Sequence, residues 1–347
     1  MFYEVEKRRV KCDNLRMEGM EKFSSIDRVV GDVSEGVKEK ITEIAEQKFE
    51  KQDRPEFEGK EREKTPEEMK MVQLANFATN EILEKYHLEY VHTPPENIHI
   101  MRKGLWKNFE EGTRGHFYPL QQMIALEESP VKCDTMLSMI HEMIHFKSYT
   151  ALQVSEKTKK TDLYRIGLQV TDRNTEYEYF RSLNEAITED IAKEICLDLF
   201  ANQHMFDEEW EETQNTIRHY LKLTPSNKPR LNTPDVFYMK KGESSIEEKN
   251  QYEIKAFSYS VERQALHLLI NTLYERNRDQ FEEKSEVRGL FIEAMLTGNL
   301  LSLGKLIDKT FDKGEQGYST FRHIGQMEGI ELLKMVDELV KNKKYRE

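Results

Sequence analysis

The stretch "MLSMIHEMIHFKSYTAL", residues 136–152, constrains this chain more than any other. Met136, Leu137, Met139, Ile140, Met143, Ile144 and Phe146 would surround a helix on every side, which marks it as a core element. That helix nevertheless carries His141, Glu142 and His145. Polar side chains in such surroundings need partners, and any fold of this chain has to supply them. Positions four apart share a helix face, so His141 and His145 project side by side with ring nitrogens able to meet at one metal. Zinc takes such ligands. Glu142 lies one residue round, where it is suited to act as a general base beside the metal rather than to bind it.

A catalytic zinc usually has three protein ligands. The continuation HExxHxxGxxH is excluded, because Ser148 and Ala151 stand where it needs Gly and His. Forty residues beyond His145, "SLNEAITEDIAKE" puts Glu185 and Glu189 on one face of a second helix. Ser182-Leu183-Asn184-Glu185 also fits a capping box, in which Glu185 would only return to the amide that opens the helix. The residues by themselves leave both readings open.

Taken together, His141-Glu142-Met143-Ile144-His145 and Asn184-Glu185-Ala186-Ile187-Thr188-Glu189 resemble the motif pair of the Glu-liganded zinc peptidases, the gluzincins typified by thermolysin. The resemblance covers about residues 115–195, with a wider gap between the motifs than in thermolysin itself. Lethal-factor-like toxins, which are zinc peptidases with a downstream Glu, are alternative relatives. The resemblance implies a zincin-like fold with Zn2+ as cofactor and His141, His145 and Glu185 as its ligands. Glu189 would hydrogen-bond a zinc-bound histidine, expected to be His141. Glu142 would be the general base in the hydrolysis of a peptide or protein substrate. A Tyr or His on a later helix would stabilise the oxyanion; Tyr259 in "AFSYSVERQALHLL" is the first candidate and His267 the second. "GHFYPLQQMIALEES" would supply an edge strand for the substrate backbone, with Gly115 allowing close backbone approach.

Along the chain, residues 1–64 read as a charged arm or linker with one helix near 35–51. Thr65-Pro66-Glu67-Glu68 opens a helix to about Tyr86, and the compact domain is expected to start there. "NIHIM" alternates like a strand, Asp134 is the expected N-cap of the HEMIH helix, and "DLYRIGLQVTD" with "TEYEYFRSL" forms a hairpin turning at Asp172-Arg173-Asn174. A catalytic domain over 65–222 would be followed by a loop at 223–246, a possible lid, and by three or four amphipathic helices within a 223–347 subdomain. The fold class is therefore α+β: a small mixed sheet with the HExxH helix beneath it, then a mainly helical half. His99, His116 and His204 have no second motif around them and read as surface or satisfied core residues.

Cys12, Cys133 and Cys196 lie far apart, so neither a disulfide framework nor a cysteine zinc knuckle is expected. The basic residues near the start have no apolar core behind them, and no stretch has the length of a membrane span, which together favour a cytoplasmic protein with no membrane partner. A net charge of -12 argues against nucleic acid as a partner. A catalytically inactive zinc-binding regulatory or interaction module is the alternative to a peptidase, against which the retained Glu142 speaks. Zinc hydrolysis of a non-peptide bond ranks third.

Overall fold

The computed structural model describes residues 25–50, 57–105, 114–155, 157, 160–173, 175, 177–223, 233–242, 252–311 and 319–341. Its first half runs β1 (Arg28–Val30), α1 (Glu35–Glu50), β2 (Glu61–Arg62), α2 (Pro66–Lys85), β3 (Ile98–Met101), β4 (Gly115–Tyr118), β5 (Met123–Glu127) and α3 (Lys132–Lys147). Next come β6 (Thr150–Val154), β7 (Thr161–Ile166), β8 (Gln169–Thr171), β9 (Glu178–Tyr179), α4 (Arg181–Asn202), α5 (Asp207–Leu223), β10 (Val236–Lys241) and β11 (Tyr252–Ala256). The chain closes with α6 (Ser260–Arg276), α7 (Lys284–Thr297), α8 (Leu300–Phe311), α9 (Thr320–Gly325) and α10 (Gly329–Lys341). This is a mixed α+β chain with small sheets and a helical second half.

The four-stranded sheet has the order β2-β3-β5-β4, with β3 and β5 parallel and the outer pairs antiparallel. β5 alternates between two cores, as period-2 geometry requires. Ile124 and Leu126 face the main core with Ile98, Ile100 and the apolar side of α3, while Met123 and Ala125 join Phe57 and Met101 on the other face. β4 ends the sheet beside α3. The all-round apolar sequence of α3 is explained by its place: α2, α4, β4 and β5 all pack against it.

The second sheet has the order β1-β6-β7-β8-β9. Its parallel β1–β6 pairing brings in residues from the expected arm, with Val29 opposite Leu152. The arm expectation is corrected on this point. Val29 and Ala45 are buried with Leu152 and Val154, Phe57 is fully buried, and β2 completes the other sheet, so the fold begins well before residue 65. Residues 1–24 and 51–56 lie outside the described residues.

The capping box at Thr65 forms as its spacing predicts, with Thr65 Oγ1 accepting from the Glu68 amide at 3.1 Å and Glu68 Oε2 from the Thr65 amide at 2.8 Å. Asp134, by contrast, is not the N-cap of α3. Val131 holds that position, and the first amides, of Lys132 and Cys133, donate to the Glu209 carboxylate of α5 at 2.9 and 3.0 Å. Asp134 is left free to bind Arg114, Lys255 and Ser129.

Three further expectations change. The predicted hairpin is three strands, because Gly167 at φ +54° allows a tight turn between β7 and β8 before the turn near Asp172. The 223–246 loop contains β10, whose Val236, Phe237, Tyr238 and Met239 are buried and which pairs with β11; residues 224–232 and 243–251 lie outside the described residues. The helices after β11 number five among the described residues, not three or four.

Candidate metal centre

α3 and α4 cross so that His141, His145 and Glu185 converge, the one group among the described residues able to hold a metal ion in this way. His141 Nε2 and His145 Nε2 face each other at 3.1 Å, and Glu185 Oε2 lies 3.3 Å from the first and 3.5 Å from the second. A tetrahedral zinc with bonds of about 2.0–2.1 Å requires ligand atoms about 3.3–3.4 Å apart, so the triangle has the size of one face of such a site. The donor set fits zinc, being two imidazoles and a carboxylate.

The charges are consistent with the geometry. Burial works to lower the His141 imidazole, but hydrogen bonds to Glu185 and Glu189 carry it well above its ordinary value. Burial works to raise the Glu185 carboxyl, but His145 and His141 hold it well below. A cation at the centre of the triangle would displace the proton held there.

Glu189, one turn after Glu185 on α4, accepts from His141 Nδ1 at 2.8 Å through Oε2. That contact fixes the ring orientation and points Nε2 toward the triangle, where its lone pair becomes available to a cation once the proton is displaced. Its other oxygen accepts the Ser258 amide at 2.6 Å. Glu189 therefore ties His141 to the segment that leads into α6. Sequence reasoning missed Ser258, since a backbone donor leaves no signature in residue type.

Tyr259 follows directly. It is the N-cap of α6 in the left-handed region, φ 53°, and its ring stacks on His141 with centroids 6.0 Å apart and planes at 18°. Desolvation, the Glu185 charge and a hydrogen bond to Glu185 push its hydroxyl well above the ordinary tyrosine value, so it stays protonated as a donor. Phe180, the N-cap of α4, is also left-handed at φ 64°. Such residues concentrate at functional sites, and here the two cap the helices that carry Glu185 and adjoin Tyr259. The Ser182–Glu185 capping box does not form: α4 starts at Arg181, Ser182 Oγ accepts the Gly329 amide, and Asn184 Oδ1 accepts the Leu168 amide. Glu185 is free to face the histidines.

Glu142 points from α3 toward β4. A Cβ on Gly115 would come within 2.8 Å of Glu142 Cγ and 3.0 Å of Oε1, so this glycine makes room for the carboxylate. His267 is not at the centre: it binds Asp190 at 2.8 Å and is exposed. His99 is buried with Nδ1 3.0 Å from Glu61, whereas His116 and His204 are exposed. Compared with known proteins, the chain matches no family model, no curated protein and no solved structure.

Proposed function

We propose that the chain is a zinc-dependent metallopeptidase of the gluzincin type, with a zincin-like catalytic fold, that hydrolyses peptide bonds in a peptide or protein substrate. The observation that carries this reading is the His141–His145–Glu185 triangle at tetrahedral spacing, with Glu142 beside it and Glu189 behind His141. Zinc held by these three residues would supply Lewis acidity toward a substrate carbonyl and toward water. Glu142 takes a proton from the attacking water and passes it to the leaving amine. Glu189 holds the His141 tautomer, and the Tyr259 hydroxyl donates to the developing oxyanion.

β4 supports a peptide substrate over a compact one. It pairs only with β5 among the described residues, and its Gly115 lies against Glu142, so an extended backbone adding to its outer edge would run past the general base. No helix among the described residues is long and apolar enough to cross a membrane. A cytoplasmic site of action and the absence of nucleic-acid partners rest on the sequence reading. The reading is tested with Glu142→Gln, which retains zinc and abolishes cleavage of a peptide pool. Full cleavage by that variant would remove Glu142 from the mechanism.

A further inference from the structure

The chain between β11 and α6 is braced on both sides of one residue. The Ser258 amide donates to Glu189 Oε1 of α4 at 2.6 Å, and the Ser258 carbonyl accepts from Arg263 Nε at 3.0 Å. Arg263 stands one turn into α6, is 4 % exposed, and donates through Nη1 to Asp235 at 2.9 Å. Asp235, just before β10, also accepts from Lys193 Nζ at 2.6 Å, and its backbone carbonyl accepts from the Phe257 amide at 2.9 Å. Lys193 and Glu189 are one turn apart on α4. The contacts thus close a ring, Glu189–Ser258–Arg263–Asp235–Lys193, that starts and ends on the helix carrying Glu185.

Tyr259 depends on that ring for its conformation. The Ser258 carbonyl lies in the same peptide plane as the Tyr259 amide, so a donor fixed on that oxygen fixes the plane from which Tyr259 turns into the left-handed region at φ 53°. A bulky residue keeps such a conformation where its surroundings over-determine it. Arg263 acts here twice: its guanidinium holds the carbonyl before Tyr259, and its own amide donates to the Tyr259 carbonyl at 2.8 Å. Both peptide planes flanking Tyr259 are therefore set by one residue. The conformation they define lays the Tyr259 ring on His141. A guanidinium suits this work because its donors keep a fixed spacing in one plane, whereas an ammonium is a point charge on a flexible stem.

We propose that Arg263 is a positioning residue of the metal centre, setting Tyr259 over His141 through the peptide planes on either side of it and seating the Ser258 amide on Glu189. The inference deepens the peptidase reading and rests on it for its chemical consequence: Glu189 orients His141, and Tyr259 donates to the oxyanion, from places that Arg263 fixes. The competing role for a buried arginine is to neutralise Asp235, and for that any cation at position 263 would serve.

Arg263→Lys separates the two roles, because it keeps the positive charge beside Asp235 and removes the planar fork. The full chain is labelled with 3-fluorotyrosine and studied without added metal, the Tyr259 resonance being identified by its loss in Tyr259→Phe. In Arg263→Lys that fluorine resonance should shift or broaden while those of tyrosines outside the site stay. Zinc affinity, by chelator competition, should fall about tenfold. In a Glu189→Gln background the same substitution should weaken zinc by less than about twofold further, because the two residues act along one route. An unmoved Tyr259 resonance in Arg263→Lys, or an equal loss of zinc affinity in both backgrounds, overturns the proposal. Where Arg263→Lys does not fold, hydrogen exchange of the wild type decides. The Ser258 amide and the Arg263 Nε–H should exchange as slowly as amides inside α6, and exchange at the rate of a free loop amide overturns the proposal. A folded wild type that takes up no zinc removes the peptidase reading, and the Tyr259 resonance then still decides for or against Arg263.

Discussion

Replacing Gly115 by alanine tests how closely Glu142, the proposed general base, depends on its strand neighbour. The glycine lies in β4 and is not in the left-handed region, so alanine is compatible with its backbone. The added Cβ would meet Glu142 Cγ at 2.8 Å, Glu142 Oε1 at 3.0 Å and Leu126 Cδ2 at 2.9 Å, where ordinary contact begins at 3.4 Å. Glu142 must then retreat by about 0.6 Å, because Leu126 is fully buried and less able to yield. Since misplacement of a reacting group by about 1 Å can cost about 100-fold, the expected loss in kcat is about 10- to 100-fold. That corresponds to about 1.4–2.7 kcal/mol of barrier. Stability should fall by about 1 kcal/mol, the low end for overpacking, since a flexible side chain absorbs most of the clash. The assay is hydrolysis of a cleaved peptide under saturating conditions, beside zinc content and chemical denaturation of the same preparation. Zinc content should not change. Unaltered kcat with unaltered stability, or loss of zinc, would refute the argument that Gly115 serves Glu142.

Two other outcomes follow from the same geometry. Glu189→Gln removes the charge that orients His141, so zinc affinity measured by chelator competition should fall about 10- to 100-fold while the fold persists; unchanged affinity would deny Glu189 that role. For Glu68, burial works to raise the carboxyl, but hydrogen bonds from Arg62 and the Thr65 amide hold it below its ordinary 4.5. The unfolded chain therefore takes up this proton at higher pH than the folded one, so the stabilisation is complete above the ordinary value and lost as pH falls through the folded value. Glu68→Gln should cost about 1–2 kcal/mol at pH 7 by urea denaturation. The difference from wild type should shrink below about pH 4.5, and a difference that grows in acid would contradict the assignment.

The local parts of this fold were legible in the sequence, and the long-range parts were not. His141 and His145 meet because four residues bring two side chains onto one helix face, and Glu185 and Glu189 share a face of α4 for the same reason. The Thr65 cap was readable because all its atoms lie within four residues. The pairing of Val29 with Leu152 spans more than a hundred residues, and nothing within "DRVVGDV" announces it. β10 was hidden by the prolines before it, although "VFYM" is an apolar run. Asp134 looked like a cap until Arg114 and Lys255, distant in sequence, claimed its carboxylate and Glu209 took over the helix amides. The apparent capping box at Ser182 failed because Phe180 in the left-handed region starts α4 earlier. A cluster such as Lys193, Asp235 and Arg263 comes from three separate elements and carries no spacing that could reveal it.

If α3 and α4 together hold one zinc, as proposed, elemental analysis of the purified chain beside Glu185→Ala will register it. Close to one zinc per chain is expected in the wild type and little in the variant, with circular dichroism establishing that both are folded. A folded wild type that takes up no zinc when supplied with it, or a Glu185→Ala variant that binds zinc as the wild type does, would contradict a zinc site built on His141, His145 and Glu185.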